Sequence, residues 1–114
     1  MKKFDLEERT AQFGERVILY CKAAKKDSVS SPLISQIVRS ATSIGANYME
    51  ANNASSRKDF TNKIFIAKKE AQETQHWLRM LAIYYDEKDQ LRLLWKEAHE
   101  LTLIFQKITS TLRK

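Results

Sequence analysis

Four stretches of this sequence place apolar residues at alternating steps of three and four, and this rhythm constrains the fold more than any other feature. The longest stretch runs from Phe60 to Tyr85 and keeps the rhythm for more than three heptads. Steps of three and four bring side chains to one face of an α-helix, whereas a strand needs steps of two. With only two glycines and one proline in 114 residues, the chain also lacks the turn residues that a β-domain requires. We therefore predict an all-α protein.

The four stretches predict helices over about residues 5–25, 32–52, 57–86 and 89–112. Each has one apolar face that we expect to form the core. These faces are Leu6, Thr10, Phe13, Val17, Tyr20 and Ala24; Ile34, Ile37, Ala41, Ile44, Tyr48 and Ala51; Phe60, Ile64, Ala67, Ala71, Thr74, Leu78, Leu81 and Tyr85; and Leu91, Leu94, Ala98, Leu101, Phe105, Ile108 and Leu112.

Polar residues mark the predicted ends of the helices. Asp5 is suited to cap the first helix, and Ser31–Pro32 combines a capping serine with a proline, which suits the first helical position. Asn52–Asn53 would end the second helix, because asparagine tolerates left-handed backbone geometry. Ser56–Asp59 resembles a capping box, with aspartate in the place of the usual glutamate.

Short connections between four amphipathic helices require neighbouring helices to run antiparallel. We therefore predict one domain, residues 1–114, with an up-down-up-down four-helix bundle. A period near 3.5 residues implies a left-handed twist of about 20° between neighbouring helices.

A second, polar stripe borders the core face of the second helix. It consists of Gln36, Arg39, Ser43, Asn47 and Glu50. We use the name polar seam for this stripe together with Glu70 and Glu73 of the third helix. One interpretation is two solvated helix faces. The other is an interhelical seam in which Arg39 pairs with Glu70 or Glu73 and sets the register between the helices.

We expect no catalytic residue, no metal site and no cofactor. Glu73-Thr74-Gln75-His76 matches the Glu-x-x-His motif of di-iron bundles. A second such motif is missing, because Lys96 stands three positions before His99, where the motif needs a glutamate. Two isolated glycines cannot build a phosphate-binding loop. Cys21 lies on the apolar side of its helix, so we interpret it as a small buried residue.

A formal charge of +6 favours polyanionic partners. In an antiparallel bundle, one end, which we name the basic end, collects nine cations against five carboxylates. Its cations are Lys2, Lys3, Arg9, Arg57, Lys58, Lys63, Lys107, Arg113 and Lys114. Trp77, Trp95, Tyr84 and Tyr85 could stack on nucleic-acid bases, although packing within or between subunits is the more usual use of aromatics at helical spacing.

Other apolar residues lie off the core faces, and we expect them to contact further subunits: Ile18, Leu19, Ile66, Trp77, Leu103 and Ile104. The N-terminus lacks the apolar region of a signal peptide, no run is long enough to cross a bilayer, and Cys21 has no disulfide partner. We therefore expect a cytoplasmic protein without membrane contact.

Two segments resemble a known family. Ser35–Ala51 resembles the pattern Q-L-x-R-A-x-x-S-I-x-x-N-I-x-E-G, with Tyr48 and Ala51 in place of the isoleucine and the final glycine. Ile66–Ala71 and Glu73–Leu78 resemble K-E-A-x-E-T-x-x-W-L. This is the pattern of the bacterial four helix bundle protein family, also called the 23S rRNA-intervening-sequence protein family.

The resemblance implies an up-down bundle that assembles into a ring-shaped homopentamer. The accessory protein of diversity-generating retroelements is similar in fold, is basic, and associates with nucleic acid and a reverse transcriptase. Two functions follow as hypotheses: an oligomer that binds RNA or DNA through a basic surface, or a homo-oligomeric scaffold that docks a protein partner. Neither is enzymatic.

Overall fold

The computed structural model describes residues 3–112, with side chains from Leu6 onward, and all of its regular structure is helical. The helices are α1 (Lys3–Ala23), α2 (Ser30–Asn52), α3 (Arg57–Tyr84) and α4 (Asp89–Leu112). They form a bundle of 44 × 21 × 20 Å. This confirms the predicted all-α four-helix fold.

Side-chain pairs between helices show that neighbouring helices run antiparallel. On α2 and α3, Glu50 pairs with Lys63 while Arg39 pairs with Glu73, so the numbering rises on one helix as it falls on the other. The α1–α2 contact is set by small residues, because Gly14 approaches Thr42 and Gly45 approaches Thr10. Contact between α1 and α4 is the least extensive of the four interfaces.

The predicted core faces account for nearly all of the buried apolar surface. All six residues of the α2 face are buried, and so is the α4 face from Leu91 to Phe105. Phe13 and Phe105 are the largest fully buried side chains, and the Phe105 ring lies 5.8 Å from that of Tyr48. Only the ends of the predicted faces, such as Phe60 and Tyr85, are half-buried. Burial of these stripes is the main stabilising term of the bundle.

The predicted start of α2 was wrong, because a different residue caps the helix. The helix begins at Ser30, and the Asp27 carboxylate accepts hydrogen bonds of 2.9 Å from the backbone N–H groups of Val29 and Ser30. The Ser30 hydroxyl accepts in return from the Asp27 N–H at 2.9 Å. This reciprocal arrangement satisfies the free amides one turn before Ser31, so Ser31 and Pro32 lie inside the first turn.

Other helix ends differ in smaller ways. The helix α1 already includes Lys3, so Asp5 lies inside its first turn, and α1 ends two residues earlier than predicted. Asn53 ends α2 with φ −106°, not in left-handed geometry, and no described residue has a positive φ. The Ser56 hydroxyl accepts from the Asp59 N–H at 3.0 Å, as the predicted cap of α3 requires. α3 ends before Tyr85, where the backbone becomes extended.

Within the described range, we find no helix with both the length and the apolar character needed to span a bilayer.

Candidate functional site

The predicted pairing of Arg39 is present in the polar seam, and it involves both glutamates. Arg39 Nη1 donates to Glu70 at 3.2 Å, and Nη2 donates to Glu73. Gln36 accepts from Arg39 Nε at 3.3 Å, and Trp77 Nε1 donates to Glu73 at 3.2 Å. The guanidinium is 46% exposed and the glutamates 14% and 30%, so the cluster bridges α2 and α3 at the surface and is not a buried pair.

The charges of this cluster stabilise one another. The hydrogen bond to Glu73 is the main reason that the pKa of Arg39 is raised. Burial raises the pKa of Glu73, but the hydrogen bonds from Arg39 and Trp77 outweigh burial, and the net pKa is lowered. Both groups are therefore held in their charged forms, and neither is poised to exchange a proton near neutral pH.

The remaining residues of the polar seam are satisfied mainly along their own helix. Ser43 Oγ donates to the Arg39 carbonyl at 2.6 Å, and Asn47 Nδ2 donates to the Ser43 carbonyl at 2.8 Å. Glu50 accepts from Lys63 Nζ at 2.8 Å, which adds a second bridge between α2 and α3. The polar seam therefore joins two helices at two points, and its chemistry is structural.

The basic end holds less free positive charge than its composition predicted. Arg9 forms a two-bond ion pair with Glu97, at 2.7 Å for each bond, and approaches Glu100 at 3.4 Å. Because these glutamates lie near the middle of α4, Arg9 belongs to the body of the bundle. Lys63 is paired with Glu50. The side chains of Lys2, Lys3, Arg113 and Lys114 lie outside the described residues.

Three exposed cations of the basic end are left: Arg57, Lys58 and Lys107. Arg57 Nη2 donates to the Leu112 carbonyl at 3.4 Å, which places it where α3 begins beside the end of α4. Beside it, the first two turns of α3 border a shallow depression that Lys58 and Phe65 help to line.

The outer surface shared by α3 and α4 is a broader basic region, which we name the α3–α4 face. Contacts between the two helices define it: Lys68 Nζ donates to Gln106 at 3.0 Å, and Gln75 accepts from the Thr102 hydroxyl at 3.0 Å. Two further exposed cations lie one helical turn from residues that join α3 and α4: Arg79 follows Gln75 by four positions, and Lys96 precedes His99 by three.

The glutamates of α3 and α4 pair with arginines on the other two helices. The two helices carry six acidic residues. Glu70 and Glu73 turn towards Arg39 on α2, and Glu97 and Glu100 turn towards Arg9 on α1. The other two, Asp59 and Asp89, lie in the first turns of their helices. Among the described residues, Lys68, Arg79 and Lys96 form no ion pair with a carboxylate.

Flat side chains accompany the cations on the α3–α4 face. Trp95 and His99 are stacked, with ring centroids 5.1 Å apart and planes inclined by 11°. Gln75 Nε2 lies 3.3 Å from His99 Nδ1, so the imidazole ring is held from α3. Lys68 lies over the Phe65 ring at 5.4 Å. Cations interleaved with exposed rings are typical of nucleic-acid binding surfaces.

Only part of the predicted set of subunit contacts is exposed. Ile18, Leu19 and Leu103 are exposed, but Trp77 and Ile104 are half-buried against the core and Ile66 is also half-buried. The flanks of α3 that face α2 and α4 are covered within the subunit, which the sequence pattern did not indicate. Five further apolar residues outside the predicted set are exposed: Val29, Met49, Ile83, Leu93 and Trp95.

Exposed apolar residues concentrate around α1, where the contact with α4 is least extensive. Leu19 and Leu93 line a groove between α1 and α4, with a volume of about 370 Å³. Ile18 and Met49 line a second groove of about 360 Å³ between α1 and α2. Large exposed apolar patches of this kind mark surfaces for protein contact.

Among residues 6–112, no group of three or more His, Cys, Asp or Glu side chains is placed to hold a metal ion. Glu73 is engaged by Arg39, and His76 next to it is exposed. Burial raises the pKa of Cys21 to about 11, so its thiol is protonated at neutral pH and is a poor nucleophile.

Two features of the site were not predicted from the sequence. The Arg9–Glu97 pair joins residues 88 positions apart, and sequence spacing does not reveal which helical turns of α1 and α4 are level. The placement of the glutamates of α3 and α4 away from their shared surface did have a sequence signal. Their glutamates recur at steps of three, as Glu70 and Glu73 and as Glu97 and Glu100, which confines each pair to one flank of its helix.

Comparison with known proteins agrees with this architecture. No curated protein matches the sequence. A solved structure of a protein of unknown function from Bacteroides thetaiotaomicron, described as a member of the S23 ribosomal protein family, superposes with a TM-score of 0.87 and 34% sequence identity. The match covers 96% of this chain and 99% of that chain. The family model described as 23S rRNA-intervening sequence protein matches residues 2–107. The chain belongs to the 23S rRNA-intervening sequence protein family.

Proposed function

We propose that this protein binds RNA or DNA with little sequence preference, through the α3–α4 face and the adjoining cations of the basic end. The observation that carries the proposal is the separation of charges on α3 and α4. Four of their six acidic residues are paired with Arg9 and Arg39 on the other helices, while Lys68, Arg79 and Lys96 form no ion pair among the described residues. Such a surface attracts a phosphate backbone and repels other cations.

The size of the surface suits a nucleic-acid backbone. Arg57 and Arg79 are 22 residues apart on one helix, which corresponds to about 33 Å at 1.5 Å per residue. Duplex DNA carries one negative charge per about 1.7 Å of its axis, so the face spans several phosphates. Lysine and arginine at these positions would displace condensed counterions, and the affinity should fall steeply with salt.

The test is binding of fluorescein-labelled RNA and DNA by anisotropy, between about 50 and 200 mM salt. We compare wild type with a triple variant, Lys68→Gln, Arg79→Gln and Lys96→Gln. For each phosphate that the variant no longer neutralises on duplex DNA, we expect the slope of log affinity against log salt to become less negative by about 0.9.

A matched control removes three charges elsewhere: Arg16→Gln, Lys22→Gln and Lys25→Gln on and after α1, all exposed. This variant has the same net charge as the first triple variant, so a general charge effect would weaken both equally. Equal weakening would reject the α3–α4 face as the binding surface. Absence of RNA and DNA binding by the wild type at low salt would reject the function.

We also propose that the protein is a homo-oligomer, and a pentamer is our specific expectation. The exposed apolar residues around α1 support subunit contact, because a monomer would leave Ile18, Leu19 and Leu93 in water. Light scattering after size exclusion should give about five times the 13.3 kDa protomer mass. Leu19→Lys should lower that mass, while the same change at Ile83, an exposed residue near the end of α3, should not. A wild-type mass of one protomer would refute the assembly.

The second candidate is a scaffold that docks a protein partner, and the same apolar grooves favour it. Under that hypothesis the charge serves solubility. A partner retained in a pull-down after nuclease treatment, together with no affinity for RNA or DNA, would favour the scaffold. Under either candidate we propose a non-enzymatic protein of the cytoplasm.

A further inference from the structure

Trp95 is the one exposed ring of the predicted aromatic set, all of whose members lie among the described residues. Trp77 is half-buried against the core and donates to Glu73, and Tyr84 donates to Asp27. Tyr85 lies edge-on to Tyr20, with centroids 6.2 Å apart. Trp95, by contrast, is 41% exposed at the surface of α4. Among the described residues, its ring stacks with His99 alone, one helical turn away.

The stack with His99 gives Trp95 a fixed orientation. The two rings are nearly parallel, inclined by 11°, and His99 is held in turn by Gln75 on α3 at 3.3 Å. Gln75 is itself held by the Thr102 hydroxyl at 3.0 Å. A flat apolar ring that is preorganised in this way loses little conformational entropy when another flat ring stacks on it.

The surroundings of Trp95 favour a nucleobase over a protein side chain as the third ring. Lys96 and Arg79 are exposed cations of the α3–α4 face, and neither forms an ion pair among the described residues. The grooves lined by exposed aliphatic residues lie instead on the α1 side of the bundle. A ring beside cations is the arrangement by which proteins hold single strands, where bases stack and phosphates meet positive charge.

We propose that Trp95, supported by His99, is a base-stacking platform that makes the α3–α4 face prefer single-stranded nucleic acid over duplex. The proposal rests on the proposed function and adds to it the strand state of the ligand. In a duplex the bases are already stacked on each other, and their faces are not available to a protein ring. Single strands expose those faces, so only they gain from Trp95.

The experiment separates stacking from phosphate binding by the choice of probe. Labelled oligo(dT) of 20 nucleotides is compared with a 20-mer of the same backbone in which every site is abasic, and with a 20-base-pair duplex. The phosphates of the two single strands are equivalent, so a difference in affinity reports contact with bases. We expect the wild type to bind oligo(dT) about 5- to 150-fold more tightly than the abasic strand.

Three variants test whether the difference in affinity between oligo(dT) and the abasic strand arises at Trp95. Trp95→Leu should remove most of the preference for oligo(dT) over the abasic strand and leave duplex affinity unchanged. Trp95→Phe keeps a ring and should retain most of the preference. Val29→Ala, at an exposed apolar residue just before α2, should change neither. With Trp77→Phe as background, quenching of the single remaining tryptophan by oligo(dT) reports the stack directly.

The outcomes distinguish the stacking platform from the proposed function. If no probe binds at low salt, the function itself is refuted. If oligo(dT) and the abasic strand bind the wild type equally well, nucleic-acid binding stands and the stacking platform is rejected. A lower oligomer mass for Trp95→Leu with an unchanged preference would identify Trp95 as a subunit contact and also overturn the proposal.

Discussion

The two glycines of the α1–α2 interface should respond in opposite directions to the same substitution. Both lie inside helices, where replacing glycine by alanine gains roughly 0.5–1 kcal/mol of helix stability. At Gly14, an added Cβ would lie 3.6 Å from Thr42 Cα and 3.7 Å from the Ala41 carbonyl oxygen, which are ordinary contacts. We therefore expect Gly14→Ala to raise the free energy of unfolding by about the full helix gain.

At Gly45 the added Cβ would be crowded. It would lie 3.2 Å from Thr10 Oγ1 and 3.4 Å from both Thr10 Cβ and the Thr10 carbonyl carbon. The hydroxyl cannot turn away freely because it donates to the Glu7 carbonyl at 2.9 Å. The helix cannot shift freely either, since the neighbouring Arg9 is tied to Glu97 by two bonds of 2.7 Å. Overpacking of this kind costs about 1–3 kcal/mol, which exceeds the helix gain.

The helix gain is the same at both glycines and cancels, so the two variants should differ by the overpacking cost of about 1–3 kcal/mol, with Gly45→Ala the less stable. For a chain of 114 residues, this corresponds to a difference of about 4–12 °C in Tm. Far-UV circular dichroism during urea and thermal unfolding measures both quantities, at one protomer concentration because assembly contributes to stability. Adding Thr10→Ala to Gly45→Ala should recover part of the deficit. Equal stabilisation by both alanines would refute the close α1–α2 approach.

Further substitutions test other parts of the bundle. Arg39→Met should lower the free energy of unfolding by about 1 kcal/mol in urea titration, because two less exposed carboxylates lose their shared cation; no change in stability or assembly would count against the polar seam. Phe105→Ala, at a fully buried site, should cost about 3–5 kcal/mol in the same assay. The Cys21 thiol, with a pKa raised by burial to about 11, should react with a disulfide reagent at pH 8 only at the rate of unfolding. The pKa of Asp27 is lowered, mainly because its carboxylate accepts a hydrogen bond from Tyr84. The charged carboxylate therefore stabilises the fold above the unfolded pKa of about 3.9, and this stabilisation is lost as pH falls through the folded pKa. Asp27→Asn should therefore be less stable than wild type at pH 7, and the gap should close in acid melts.

The sequence predicted the bundle well because a single physical signal, the apolar period, determines which side of each helix is buried. All six residues predicted for the core face of α2 are buried, and that result does not depend on the order in which the helices pack. The capping prediction at Ser56 succeeded for a similar reason, because the interaction spans only three residues. At α2 the predicted cap, Ser31, was wrong because the Asp27 carboxylate accepts from two backbone amides earlier in the chain.

Predictions about the flanks of the helices were less successful, because exposure there depends on how closely neighbouring helices approach. Trp77 and Ile66 lie on the flank of α3 that faces α2 and are half-buried. Leu19 and Leu93 occupy comparable flanks of α1 and α4 and are exposed, because those two helices meet least extensively. The apolar period does not encode the distances between helices, so half-buried and exposed flank residues have the same local sequence pattern.

The pairing of charges also changes what the formal net charge means for binding. The cluster of Arg9 with Glu97 and Glu100, and that of Arg39 with Glu70 and Glu73, each hold one cation and two carboxylates. Each cluster carries −1, so the remainder of the chain carries two more positive charges than the formal +6. A phosphate backbone responds to the potential of the surface it meets and not to the total charge of the chain. Because the pairs that tie α1 and α2 to the other helices also draw carboxylates away from the α3–α4 face, the interactions that order the bundle make that face more strongly basic than the composition indicates.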